Sequence, residues 1–216
     1  FWFATDGNGL WYTDAQPKSY SDFKSILPYS ASSMDIKKIY AMAEDRNGDI
    51  WIGTQSSGIW RYRYGQHSNV IRSSNLGFPD LVCSSFMEDD EGNIFVSSDG
   101  DGVYELSPDL KNIKHLKLDK SNVLSMRKGS SGKVWLSTWG DGAYTMDLAT
   151  REFKKETFKG INDPVNCFMN VYEMSDGEVW ASTAGDGWYV RGKDGVWNRI
   201  TPIDKNIKFP DIWAVN

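Results

Sequence analysis

One short motif occurs five times in this chain of 216 residues. Each copy has an aromatic residue, two apolar or small residues and then a threonine or serine, with a glycine four residues after that hydroxyl. The aromatic residues are Trp2, Trp51, Phe95, Trp135 and Trp180, and the glycines are Gly9, Gly58, Gly102, Gly142 and Gly187. The glycines are 49, 44, 40 and 45 residues apart, a period typical of propellers, solenoids and other arrays. The repeat therefore accounts for the whole chain.

The second copy shows what one repeat should fold into. Residues 39–43 alternate large and small side chains, residues 44–49 are turn formers, and residues 50–54 are β-branched and aromatic. A hairpin follows, because a glycine-containing turn leads into the alternating run 59–64, and a more polar fourth strand is expected near 67–72. Four antiparallel strands in about 45 residues match one blade of a β-propeller.

We therefore predict an all-β fold, a β-propeller of four-stranded antiparallel blades, as a single domain over residues 1–216. Residue 1 falls at a second strand, and residues 211–216 have the pattern of a first strand. If the C-terminal strand pairs beside residues 1–5, it completes the first blade and gives five blades without an open edge. The alternative is a fragment of a larger, seven-bladed ring.

Composition narrows the function classes. A chain with 40% hydrophobic and 14% aromatic residues can bury a substantial core. Its net charge of −5 argues against a nucleic-acid partner. No apolar run reaches the roughly 18 residues that a membrane-spanning helix needs. Because the chain begins with Phe1 and not with methionine, we expect it to derive from a longer protein.

The segment from Ala43 to Thr54 carries a family resemblance. Its apolar strand, acidic glycine-containing turn and W-x-G-T, followed by a glycine and an aromatic, resemble the two-component regulator propeller repeat. The resemblance implies a sensor propeller from the extracytoplasmic part of bacterial hybrid two-component systems, often ones that respond to breakdown products of glycans. It also implies a periplasmic or extracellular location. Sensors of this kind generally have more repeats, further domains and a kinase, which this chain does not show.

Most repeated residues have a structural explanation. An aromatic lies two residues after each repeated glycine, and we expect this ring to fill the space between neighbouring blades. The five rings are Trp11, Trp60, Tyr104, Tyr144 and Tyr189. Cys83 and Cys167 fall on predicted first strands of separate blades, so we expect two buried free thiols. The Asp-Gly-Asp-Gly run at 99–102 is explained by a tight turn, and we predict no metal and no cofactor.

Ligand recognition is expected where the copies differ. The loops before each first strand and those between second and third strands should emerge at the same end of a blade. The second-to-third loops begin at Asp6, Gln55, Asp99, Trp139 and Ala184. Trp139 is the aromatic exception, and with Asp101, Asp141 and Asp186 it would offer an apolar platform beside hydrogen-bond acceptors. We predict a ligand site formed by Trp139, Asp141, Asp101, Asp186, Asp99 and Gln55.

The expected function is therefore non-catalytic sensing of a small polar or oligosaccharide ligand, with further propeller or signalling domains as possible partners. A scaffold that docks other proteins is the second hypothesis. A propeller lyase or glycosidase is the third, although His67 and His115 both fall on predicted outermost strands without a catalytic constellation. The lysines at 154, 155 and 159 also fall there, as a solvated edge or as a docking surface for a sulfated glycan or another domain.

Overall fold

The structure is a computed structural model that describes residues 1–5, 9–26, 38–63, 71–72, 76–79, 81–118 and 122–200. Its strands form five sheets. Sheet 1 has β1 (Trp2–Ala4), β2 (Leu10–Tyr12) and β3 (Lys24–Ile26), with a 3-10 turn at Tyr20–Asp22 before β3. Sheet 2 has β4 (Ile39–Glu44), β5 (Asp49–Thr54), β6 (Ile59–Arg63) and β7 (Ile71–Arg72). Sheet 3 has β8 (Cys83–Glu88), β9 (Ile94–Ser98), β10 (Gly102–Leu106) and β11 (Ile113–Leu116).

Sheet 4 has β12 (Asn122–Lys128), β13 (Lys133–Trp139), β14 (Ala143–Asp147) and β15 (Phe153–Lys155). Sheet 5 has β16 (Phe168–Glu173), β17 (Val179–Thr183), β18 (Trp188–Arg191) and β19 (Trp197–Ile200). In every sheet the strands are neighbours in chain order, and the pairing is antiparallel, as in β12 to β15. The predicted all-β class and the four-stranded antiparallel units are confirmed. The predicted pairing of residues 211–216 lies outside the described residues, as do Asp6 and His67.

The chain divides into two compact units. The first holds Phe1–Ser98 and Tyr104–Lys114, and the second holds Asp99–Val103 and His115–Asn216. In the first unit one apolar cluster joins sheets 1 and 2 around Leu10, Ile52 and Trp60, and another lies around Trp51 and Cys83. The second unit has a cluster between sheets 4 and 5, formed by Trp135, Ala143, Phe158, Phe168, Val171, Val179, Ala181, Tyr189 and Trp197.

The repeated threonine and glycine close the loop between the second and third strands. In sheet 4 both the amide and the hydroxyl of Thr138 donate to the Gly142 carbonyl, at 3.0 and 2.7 Å. Thr183 makes the same two bonds to the Gly187 carbonyl in sheet 5. The loop needs a residue with positive φ, and Gly142 has a φ of 86°, which a glycine adopts without steric cost. The repeated threonine and glycine of the motif therefore close this hairpin.

The repeated aromatics are not equally buried. Trp60, Tyr104 and Tyr189 lie in the core, with Tyr189 fully buried, as predicted. Trp11 and Tyr144 are only half-buried, so the prediction that every copy fills a core position is wrong for these two. The Tyr144 ring instead lies beneath the Lys155 ammonium, 5.6 Å from it.

Both cysteines are free, as predicted. Cys83 is buried at the start of β8, and burial raises the pKa of its thiol to about 12, which makes it unreactive. The expected burial of Cys167 is wrong, because this residue is half-buried and lies just before β16. β8 approaches β5 closely at Gly53, where an added Cβ would be 2.6 Å from the Cys83 carbonyl oxygen.

Candidate ligand-binding site

The loops predicted to share one end of a blade do so. In sheet 2 the amide of Gln55, just after the second strand, donates to the carbonyl of Lys38, just before the first strand, at 3.1 Å. In sheet 5 the amide of Ala184 makes the equivalent bond to the Cys167 carbonyl at 3.0 Å. We call this end of sheets 4 and 5 the Trp139 end.

Trp139 is the last residue of β13, and 47% of its surface is exposed. Its backbone forms an antiparallel bridge with Cys167. The next residues of the loop are also held, because the amides of Gly140 and Gly142 both donate to the Asn166 carbonyl, at 3.1 and 2.8 Å. A large apolar ring is therefore presented to solvent from a fixed backbone between sheet 4 and the segment that leads into β16.

Asp141, two residues after Trp139, is already engaged within its own sheet. Its carboxylate accepts a hydrogen bond from the Tyr144 hydroxyl on β14, at 2.5 Å. It also forms an ion pair with the Lys155 ammonium on β15. The hydrogen bond that the Lys155 ammonium donates to Asp141 raises the pKa of Lys155, so this lysine stays charged. The carboxylate thereby ties the loop to the third and fourth strands of the sheet.

Asp186 repeats this arrangement in sheet 5. The Tyr189 hydroxyl donates to Asp186, and Arg199 Nη2 on β19 lies 2.9 Å from its carboxylate. Burial and this donation to Asp186 raise the pKa of Tyr189. In the loop before β10, Nε2 of His115 on the fourth strand lies 2.5 Å from the Asp101 backbone carbonyl oxygen and 3.4 Å from its Oδ1. Asp141 and Asp186 thus share one structural role, and Asp101 also contacts the fourth strand of its sheet.

The remaining predicted residues lie in exposed turns. Asp99 begins the loop that contains Asp101, and Gln55 follows β5 in the first unit. The structure thus brings Trp139 and Asp141 together in one loop, and Asp99 and Asp101 together in another. His115 is on the fourth strand, as predicted. Among the described residues there is no group of three or more histidine, cysteine or acidic side chains that could hold a metal ion.

A second feature, which the sequence pattern did not predict, lies at the opposite end of sheets 4 and 5. A cavity of about 300 Å³ lies there, lined by residues that include Lys133, Trp135, Lys154 and Arg191. We call this end the Ser131 end, after the β12–β13 turn. The sequence predicts Lys154 on a basic outer strand, but Arg191, which lines the same cavity, comes 37 residues later in the chain.

A family model agrees with the repeat described above. The two-component regulator propeller model matches residues 33–56, which include all of β4 and β5. This segment is therefore similar to the two-component regulator propeller repeat. In this repeat the carboxylate of Asp45 accepts from the Asn47 and Asp49 amides and from the Trp51 indole, at 2.9, 3.0 and 2.9 Å. The acidic turn and the tryptophan of the family motif are therefore hydrogen-bonded partners.

Solved structures show the same fold. The extracellular domain of BT3049, a proposed hybrid two component system from B. thetaiotaomicron, has a TM-score of 0.73 and 18% identity, over 95% of this chain and 27% of that one. The corresponding domain of BT4673 from the same organism has a TM-score of 0.71 and 18% identity, over 98% and 28%. A catalytically inactive virginiamycin B lyase from Staphylococcus aureus, solved with quinupristin, has a TM-score of 0.70 and 15% identity, over 94% and 66%.

These likenesses show that the propeller repeats form a β-propeller fold, with each four-stranded sheet as a blade. The chain spans little more than a quarter of the two B. thetaiotaomicron domains. No curated protein sequence matches the chain significantly. In the described part of the chain, no helix has the length and apolar character needed to cross a membrane.

Proposed function

We propose that this propeller chain is a non-catalytic sensing or interaction portion of an exported bacterial signalling protein, located in the periplasm or outside the cell. The two-component regulator propeller repeat at 33–56 supports the signalling role. The likeness to extracellular domains of proposed two-component systems supports the location. Recognition, rather than chemistry, is then the task of its exposed loops.

We further propose that the chain recognises a small polar or glycan-derived ligand at the Trp139 end. The observation that carries this proposal is the exposure of Trp139, at a loop position where the other described copies have Gln55, Asp99 and Ala184. A half-exposed indole leaves apolar surface in contact with water, which a polar residue at this position would avoid. The face of the indole ring suits the C–H surface of a sugar ring. The fixed backbone beneath the ring lowers the entropy cost of binding.

The aspartates contribute in a narrower way than Trp139. Asp141 and Asp186 already bind a tyrosine and a cation, so each can share only its remaining lone pairs with a ligand. Their main effect on recognition is to hold the loops that present the indole and the backbone groups.

Calorimetry with a panel of neutral and acidic oligosaccharides tests the proposal. Trp139→Ala should weaken binding at least about tenfold, as expected for an aromatic anchor. Met174→Ala is the matched control, because Met174 is a comparably exposed apolar residue, at 42%, in the turn at the Ser131 end. Equal affinity in both variants would place the ligand elsewhere. No binding to any sugar, together with capture of a protein through Trp139, would favour the docking scaffold.

A further inference from the structure

The cavity at the Ser131 end lies between the facing surfaces of sheets 4 and 5 and has a volume of about 300 Å³. On sheet 4, Trp135, Thr145 and Lys154 stand in one line across three strands, since Trp135 pairs with Thr145 and Thr145 with Lys154. Lys133 precedes Trp135 by two positions and so shares its face. Sheet 5 contributes Arg191, at the end of β18.

The charged groups that line the cavity are mostly basic. Four are cationic, namely Lys133, Lys154, Lys155 and Arg191, and two are carboxylates, Glu156 and Glu173. The chain as a whole carries a net charge of −5. A concave site that is positive within an acidic protein attracts anions selectively, because low-dielectric walls focus its field.

Both carboxylates are already occupied by donors. Glu173 accepts from Ser130 Oγ, from the Ser131 amide and hydroxyl, each at 2.9 Å, and from the Trp135 indole at 2.7 Å. Glu156 accepts from the Trp197 indole at 3.1 Å. Both oxygens of Glu173 are therefore turned to the protein, whereas Glu156 uses one oxygen, Oε1, which also lies 3.6 Å from Arg191 Nη1.

The lysine ammonium groups at the cavity have fewer hydrogen-bond partners than the carboxylates. Among the described residues, no ion pair or hydrogen bond of the Lys133 or Lys154 ammonium is found, whereas Lys155 is paired with Asp141. Asp147, cross-strand from Lys133, accepts at Oδ1 from the amides of its own turn at Ala149 and Thr150, both at 2.9 Å, and its negative charge also attracts the Lys133 ammonium. Two lysines at the cavity thus keep their full hydrogen-bonding capacity.

Arg191 is held in place by ring stacking rather than by strong ion pairing. Its guanidinium carbon lies 5.1 Å from the Trp135 ring and 5.9 Å from the Trp197 ring, and both rings are buried. Its nearest carboxylate, Glu156, is 3.6 Å away, and its Nε is buried without a hydrogen-bond partner in the described structure. Stacking fixes the guanidinium plane and leaves N–H groups at its edge available to an acceptor.

We propose that this cavity is a binding site for a small oxyanion, a sulfate, phosphate or carboxylate group, bound by Arg191, Lys133 and Lys154 with the hydroxyl of Thr145. The planar fork of Arg191 orients the anion, and the two lysines neutralise its charge. This site is separate from the Trp139 end and does not depend on the sugar-binding proposal.

The test uses the whole chain and three probes, namely inorganic sulfate, inorganic phosphate and acetate, titrated at constant ionic strength. Binding is followed by calorimetry and by the NMR shift of the Trp135 indole N–H, assigned with Trp135→Phe. We expect saturable binding of at least one probe. The double variant Lys133→Gln/Lys154→Gln should weaken binding of that probe about tenfold or more, because each substitution removes one charge-assisted hydrogen bond to the anion.

Lys114→Gln/Lys117→Gln is the matched control, because it removes the same charge from lysines that are exposed and outside the cavity. The lysine pair carries the test, since any change at Arg191 also disturbs its stack on two core tryptophans. Acetate binding as tightly as sulfate would identify a carboxylate site, and preference for the dianions would identify a sulfate or phosphate site. No saturable response to any probe, or equal weakening in both double variants, would overturn the proposal.

Discussion

The indole N–H of Trp135 in sheet 4 donates a hydrogen bond to the Glu173 carboxylate in sheet 5, with Nε1 and Oε2 2.7 Å apart. In sheet 2 the equivalent Trp51 donates to Asp45, within its own turn. Sheet 4 has Gly129 where sheet 2 has Asp45, and a Cβ added at Gly129 would overlap the Glu173 carboxylate. A neighbouring blade therefore supplies the acceptor that this turn lacks, which locks the two blades together.

We expect Glu173→Ala to destabilise the protein by about 1–3 kcal/mol, because it leaves the buried Trp135 donor without its partner. Glu178→Ala is the control, since Glu178 contacts the Trp180 indole at a longer 3.4 Å within its own hairpin, and its effect should stay within about 0.5 kcal/mol. Urea unfolding measures both. Equal losses of unfolding free energy in the two variants would show that the hydrogen bond between blades contributes no more than the one within a hairpin.

The same carboxylate predicts a pH dependence. Burial acts to raise the pKa of Glu173, but hydrogen bonds from Trp135, Ser131 and Ser130 outweigh it and the pKa lies below its ordinary value of 4.5. A lowered pKa in the folded state stabilises the protein above the unfolded-state pKa, and this stabilisation is lost as pH falls through the folded-state value. The difference in unfolding free energy between wild type and Glu173→Gln should therefore be constant near pH 7 and shrink below about pH 4.5. A difference that grows toward acid would contradict this assignment.

The repeated aromatics should differ in their effect on stability. Tyr189→Ala removes a fully buried ring from the cluster between sheets 4 and 5 and should cost about 3–5 kcal/mol. Tyr144→Ala removes a half-buried ring and should cost clearly less, while Lys117→Ala should stay within about 0.5 kcal/mol. Thermal unfolding ranks the three variants. A loss at Tyr144 equal to that at Tyr189 would restore the view that both fill core positions.

The strand pattern could be predicted from sequence because its causes are local. Alternation sets the strands, and the hydroxyl of Thr138 reaches the Gly142 carbonyl only four residues away. The role of Asp141 could not be predicted in this way. Its partner Lys155 is 14 residues away, on a strand reached through a turn of variable sequence. The lone aspartate therefore looked like a free acceptor in a loop.

The basic cavity was still harder to predict. It requires Lys154 and Arg191 to face each other, and these residues belong to different blades. Their approach depends on how the two sheets pack around Trp135 and Trp197, which periodicity within one blade does not specify. By contrast, Trp139 could be found in the sequence, because a repeat makes an exceptional residue visible.

Trp139→Ala and Asp141→Asn should separate ligand binding from stability. Trp139 is 47% exposed, so its loss should change the unfolding free energy by no more than about 0.5 kcal/mol. Asp141→Asn removes the charge that pairs with Lys155 and weakens the bond from Tyr144, and it should cost about 1 kcal/mol, the upper part of the range for a surface pair. For an oligosaccharide that binds the wild type, affinity should fall more in Trp139→Ala than in Asp141→Asn. The reverse order in both measurements would mean that Asp141 contacts the ligand directly and that the indole has a packing role.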